Sequence, residues 1–99
     1  MDDLDQHLPG IAAGEPGAFA RWLAGAERPI RASLRSFAVR LDTEAVLQEA
    51  LLRVWQAVPR LVPDGRSNAL LRFGIRIARN LALSELRRSR VDPYEIEGL

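Results

Sequence analysis

Cysteine and lysine are both missing from the 99 residues, and histidine and methionine occur once each. Without cysteine there are no disulfides and no thiolate metal sites. With His7 as the only imidazole, set among residues 1–14, no nucleophile–histidine pair or paired-histidine metal motif can form. No glycine-rich phosphate loop and no DxD pair is present either. Glu44 and Glu49 stand five apart, which turns them in different directions around a helix, and Ser33, Ser36, Ser84 and Ser89 read as helix-surface or cap residues. The chain thus reads as a non-enzyme, with no metal and no cofactor. No apolar run approaches the roughly 18 residues of a membrane span. The first seven residues, MDDLDQH, are acidic where a signal peptide needs a basic start. A soluble, cytoplasmic chain without a membrane partner is the expectation.

What is present is an ordinary globular composition, 47% hydrophobic and 27% charged. The net charge of +1 hides a segregation. Residues 1–59 carry six arginines against eight acids, residues 60–90 carry eight arginines against Asp64 and Glu85, and residues 91–99 add three acids. A basic block of this kind attracts anions even when the total is near zero. That all fourteen basic residues are arginine suits bidentate phosphate or base contacts, although a bias in coding composition explains it more cheaply.

The chain is organised around residues 70–90, LLRFGIRIARNLALSELRRSR. At helical spacing Leu70, Phe73, Ile77 and Leu81 form an apolar stripe, widened by Leu71, Ile75 and Ala78. Arg72, Arg76, Arg79, Asn80 and Arg87 occupy the opposite arc, with Arg88 and Arg90 extending the charge. Such an arc can neutralise several phosphates, and the Asn80 amide offers a donor and an acceptor to a base edge. On charge pattern alone, a solvated face is the commoner explanation.

Upstream, residues 1–14 read as a mobile lead-in punctuated by proline and glycine. A first helix begins near Glu15–Pro16, with Phe19, Trp22 and Leu23 at core spacing, and GAERP at residues 25–29 breaks or kinks it. A second helix is expected over about 29–41, where Ile30, Leu34, Phe37, Ala38 and Leu41 make the stripe and Arg28, Arg31 and Arg35 are solvated. Asp42 caps a third helix, with Glu44 in its first turn. Val46, Leu47, Ala50, Leu51, Val54, Ala57 and Val58 are its expected core. Gln48, Glu49, Leu52 and Gln56 lie on the other side, with Trp55 at the boundary, either as core or as part of a protein-binding patch. Residues 59–69 form a proline-bounded loop, after which Ser67 or Asn68 caps the basic helix. Asp92–Pro93 marks the start of a short tail. The expected architecture is all-α, a compact domain of three to four helices over residues 15–90, between the lead-in 1–14 and the tail 91–99.

Residues 42–55, DTEAVLQEALLRVW, resemble the DAEDLVQExFLRxW segment in region 2 of bacterial RNA polymerase sigma factors of the extracytoplasmic-function, sigma-70-like group. Residues 76–88, RIARNLALSELRR, are similar to that group's RIARNLALDxLRR segment at nearly the expected distance. The resemblance covers roughly residues 17–90. Ala45 stands where the group usually has Asp, Leu51 where it has Phe, and Phe73 where it has Trp. The resemblance implies docking of the third helix on the clamp helices of the largest subunit of core RNA polymerase, through Gln48, Glu49, Leu52, Arg53, Trp55 and Gln56. It implies that the loop, with Arg66 and Ser67, and the last helix, with Arg72, Arg76, Arg79, Asn80, Arg87 and Arg88, recognise and melt the promoter −10 element. A flipped base of the non-template strand would be captured as the duplex opens. Anti-sigma factors are the other implied partners. The second domain of a complete factor is not in this sequence, so the expectation is either an isolated region 2 or a shortened homologue. The alternative is a stand-alone helical interaction domain, a decoy or regulator that binds polymerase or an anti-sigma factor without reading promoters.

Overall fold

The computed structural model describes residues 3–90. The tail 91–99 lies outside the described residues. Four α-helices and three short 3-10 turns account for most of the rest, and no strand occurs among the described residues: α1 (Leu8–Ala12), α2 (Ala18–Ser33), α3 (Thr43–Ala57) and α4 (Ala69–Arg90). The 3-10 turns are Leu4–His7, Arg35–Phe37 and Val58–Arg60.

The core forms where α2 and α3 lie against α4. On α2 the buried positions are Ala18, Trp22, Ala26 and Ile30, four residues apart and continued by Leu34. On α3 they are Val46, Leu47, Ala50 and Val54. On α4 the fully buried line runs through Leu70, Ala78 and Ala82, with Gly74 between them. Phe73, Ile75, Ile77 and Leu81 are only half-buried beside it. Of the stripe expected from periodicity, Leu70, Leu71 and Ala78 are buried, but beyond the first turn the buried centre of α4 runs through the small residues Gly74, Ala78 and Ala82. The reason is close approach: a Cβ on Gly74 would sit 3.1 Å from Ile30 Cδ1 and 3.4 Å from Val54 Cγ2.

Two boundaries differ from the sequence expectation. The 25–29 segment does not break the first helix; α2 runs through Pro29 and ends at Ser33. Pro29 removes only the one amide that would bond the Gly25 carbonyl. The expected second helix over 29–41 is instead the end of α2 followed by tight i→i+3 bonds, Leu34 to Arg31 and Phe37 to Leu34. Ala38 is exposed as a result. Arg31, expected to be solvated, bonds Glu27 and Glu44 and so ties the end of α2 to the start of α3. The Asp42 cap is as expected, with its carboxylate accepting from the Ala45 amide at 3.1 Å.

The expected lead-in is helical and attached. Leu4 and Ile11 are core residues, 8% exposed each. Leu4 seats where a Cβ on Gly25 would come within 2.6 Å of Leu4 Cδ2. Leu4 meets Gly25 of α2, far beyond the reach of helical periodicity, so periodicity could not register it.

Candidate nucleic-acid and polymerase interface

Two features meet along α4: the 61–68 loop at its start and a groove beside its middle. Helical backbone bonds reach the loop only at its ends, Leu61 N–H to the Val58 carbonyl and Arg72 N–H to the Asn68 carbonyl, so side chains shape the part between. Asp64 accepts from the Arg66 amide at 3.1 Å and receives both terminal nitrogens of Arg72 at 2.8 Å. Two further Arg72 donors reach the Ser67 and Arg66 carbonyls, at 3.1 and 3.2 Å. Four of the five guanidinium N–H groups thus point at loop acceptors. Arg66 also pairs with Asp64 at 3.1 Å. These bonds, those of Arg72 first, hold the Asp64 carboxyl well below the usual carboxylate range and raise the Arg72 guanidinium. Arg72 was expected on the DNA-facing arc; its geometry is that of a residue building the loop.

Arg79 is also engaged within the fold. Its Nη1 donates to the Ser33 carbonyl at 3.0 Å and its guanidinium lies 5.7 Å from the centre of the Phe37 ring. A cation at the C-terminal carbonyls of α2 complements that helix's dipole. Arg88 pairs with Glu85. Arg76, Asn80 and Arg87 remain as an exposed strip along α4, and neither arginine has an ion-pair partner among the described residues.

A cleft of about 230 Å³ opens between loop and helix, lined by Leu61, Val62, Asp64, Phe73 and Arg76 among others. Val62 is 84% exposed at its edge. One turn further, a groove of about 390 Å³ separates α3 from α4, lined by Arg53, Gln56, Arg60, Ile77, Asn80 and Ser84. Asn80 therefore faces Arg53 and Gln56 across a groove, which joins the two candidate surfaces that the sequence kept apart. Arg60 in this groove was missed; its only signal was membership of the basic block after Pro59.

On α3, Gln48, Glu49, Leu52, Arg53, Trp55 and Gln56 are all exposed. Leu52 and Trp55 are 52% and 51% accessible, an unusual outlay of apolar surface on one helix face. Trp55 is both patch and packing, because Phe19 meets its ring at 5.0 Å in an edge-on arrangement. Glu49 and Arg53 pair at 3.1 Å along the same face.

The sigma-70 region 2 family model matches residues 40–91, just over half of the chain. The chain belongs to the sigma-70 region 2 family. Comparison with curated proteins and with solved structures finds no match. The matched span takes in α3, the 61–68 loop and α4, so the exposed face of α3, the loop cleft and the Arg76–Asn80–Arg87 strip all fall on the region 2 domain. The family is one of sigma-factor domains that interact with RNA polymerase and promoter DNA. Among the described residues no group of three or more His, Asp or Glu side chains is placed to hold a metal ion.

Proposed function

We propose that this region 2 domain docks on the largest-subunit clamp helices of core RNA polymerase and recognises and melts the −10 element. Gln48, Glu49, Leu52, Arg53, Trp55 and Gln56 form the docking face, with Leu52 and Trp55 as apolar contacts and the charged pair as rim. The non-template strand runs from the loop along α4. Arg66, Ser67 and Arg76 meet its backbone near the cleft, Asn80 and Arg60 meet it in the groove, and Arg87 and Arg88 extend the charge. Arg72 and Arg79 shape the site from within. The functional unit spans residues 3–90, since the first helical turns pack on α2 and bond the start of α4. An anti-sigma factor would compete for the same faces.

The observation that carries this reading is the cleft beside Arg76. Leu61, Val62 and Phe73 offer apolar contacts to the face of an unstacked base, Asp64 and Arg72 line the same cleft with polar groups, and Arg76 stands where its phosphate would pass. Unstacking costs a few kcal/mol per step, and contacts to the released strand offset that cost without covalent chemistry.

The internal engagement of Arg72 and Arg79 favours the second reading, an interaction domain without promoter recognition. Titration with labelled single-stranded −10 oligonucleotides, with and without core polymerase and across salt, separates the two. Sequence-dependent, salt-sensitive binding lost on changing Arg76 and Asn80 supports promoter reading. Polymerase binding with no DNA contribution overturns it in favour of the interaction domain.

A further inference from the structure

The polar contacts that join the most distant parts of the described sequence converge on the first turn of α4. The Asp5 carboxylate accepts from the Ala69 amide at 2.7 Å and the Leu70 amide at 3.2 Å. Asp3 accepts from the Asn68 amide at 2.9 Å, and Asn68 Oδ1 accepts in return from the Leu4 amide at 2.7 Å. Three successive amides at the end of the loop are thus held by acids from the other end of the chain. Asn68 sits at φ 56°, a left-handed conformation that asparagine tolerates and that neighbouring contacts must maintain. The acids are themselves fixed, because Leu4 between them is buried against Gly25 of α2.

We propose that Asp3 and Asp5 are positioning residues of the promoter-reading site: anchored on α2 through Leu4, they hold Asn68 and the first turn of α4 so that the loop cleft is formed before DNA arrives. This rests on the promoter-reading function proposed above. The loop has two braces within electrostatic reach of each other, since Asp5 and Asp3 also help to raise the Arg72 guanidinium. Arg72 and Asp64 shape its interior, and the two acids set its exit into α4. Neither acid points at the strip Arg76–Asn80–Arg87, so each acts through the loop rather than by touching nucleic acid. A loop that must be ordered on binding loses affinity for the sequence it reads. The sequence-independent attraction of the arginine strip is unaffected.

The test uses the full 99-residue chain with core polymerase. A preferred single-stranded oligonucleotide is selected from a randomised pool, and a scrambled version serves as control. The variants are Asp5→Asn, Asp3→Asn and, leaving every charge in place, Asn68→Gly, each assayed well below its melting temperature. Each is expected to lower the preferred-to-scrambled affinity ratio about tenfold, with binding to the scrambled strand and the salt slope unchanged. Hydrogen exchange at residues 68–70 should quicken in parallel. An unchanged ratio despite faster exchange would overturn the proposal, leaving the acids a purely structural role. Tighter binding of both strands would overturn it too, because the carboxylates would then be masking a phosphate site. Failure of the unaltered chain to discriminate the two strands is a different result; it removes the promoter-reading function itself, and this inference with it.

Discussion

Arg72 and Arg76 lie one turn apart on the same helix and carry the same guanidinium, yet the fold uses them in opposite ways. Arg72 directs four N–H groups into the loop and is only one-third exposed. Arg76 is exposed, has no ion-pair partner among the described residues, and borders the cleft. Further along, Arg79 repeats the first use at the end of α2, and Arg87 repeats the second. An arginine-rich arc is therefore not one surface. Part of it builds the site, and only the remainder is available to a polyanion.

The largest expected effect comes from moving α4 off the helices that aim both kinds of arginine. Gly74→Val would push its side chain into Ile30 and Val54, and should cost about 2 kcal/mol of stability, read as the urea midpoint. An unaltered midpoint would show that α4 does not approach α2 and α3 as closely as described. Next, Arg76→Ala should weaken oligonucleotide binding and make the dependence of log affinity on log salt shallower by about 0.7, the loss of one phosphate contact to a single strand. Arg72→Ala should instead leave that slope alone while speeding hydrogen exchange at the Arg66 amide. Equal slope changes in the two variants would erase the distinction between them.

A smaller effect is expected with pH. The Asp64 carboxyl is held low chiefly by the Arg72 hydrogen bonds and then by the Arg66 amide, and Glu44 is lowered by Arg31. A carboxyl with a depressed folded-state value stabilises the fold above its unfolded value, about pH 4, and that contribution is lost as pH falls through the folded value. Acidification below about pH 4 should loosen the loop, and Asp64→Asn should show a shallower acid loss than the parent when both are followed by hydrogen exchange. Asp64 is exposed and Arg72 is one-third exposed, so solvent still screens the pair and the change in global stability stays small. Smallest of all is Leu52→Ala, which should alter stability by no more than about 0.5 kcal/mol. The same change should weaken binding to core polymerase measurably, because its side chain is 52% accessible and shares a face with Trp55.

Legibility in the sequence followed the range of the interactions. The Asp42 cap, the α3 core positions Val46, Leu47, Ala50 and Val54 and the exposed face of Gln48, Leu52 and Gln56 all depend on spacing within one helix and are readable, while Leu51 and Ala57, expected in the core, are half-buried. The all-helical class was readable too. The motifs at residues 42–55 and 76–88 were readable as a resemblance, and the family match over residues 40–91 covers both. The end of α2 was not, because Arg79 caps it from 46 residues away. The cap of α4 was sought at Ser67 or Asn68, whereas its carboxylates come from Asp3 and Asp5. Periodicity places Leu70, Leu71 and Ala78 in the core of α4 correctly but also puts Phe73, Ile77 and Leu81 there, because it rewards hydrophobicity and cannot see that the helices approach closely enough to need Gly74.

By itself, then, the sequence determined the all-helical class, the places of α3 and α4, which face of α3 is left open, and that a basic helix follows a proline-bounded loop. These are consequences of local periodicity and of capping within a few residues. Tertiary structure alone decided which arginines are available. Arg72 is drawn inward by several loop acceptors and Arg79 by a carbonyl remote in sequence, whereas Arg66 and Arg88 pair with a nearby carboxylate and stay exposed. The same holds for the loop that opens beside Arg76, whose shape depends on acids from the first five residues.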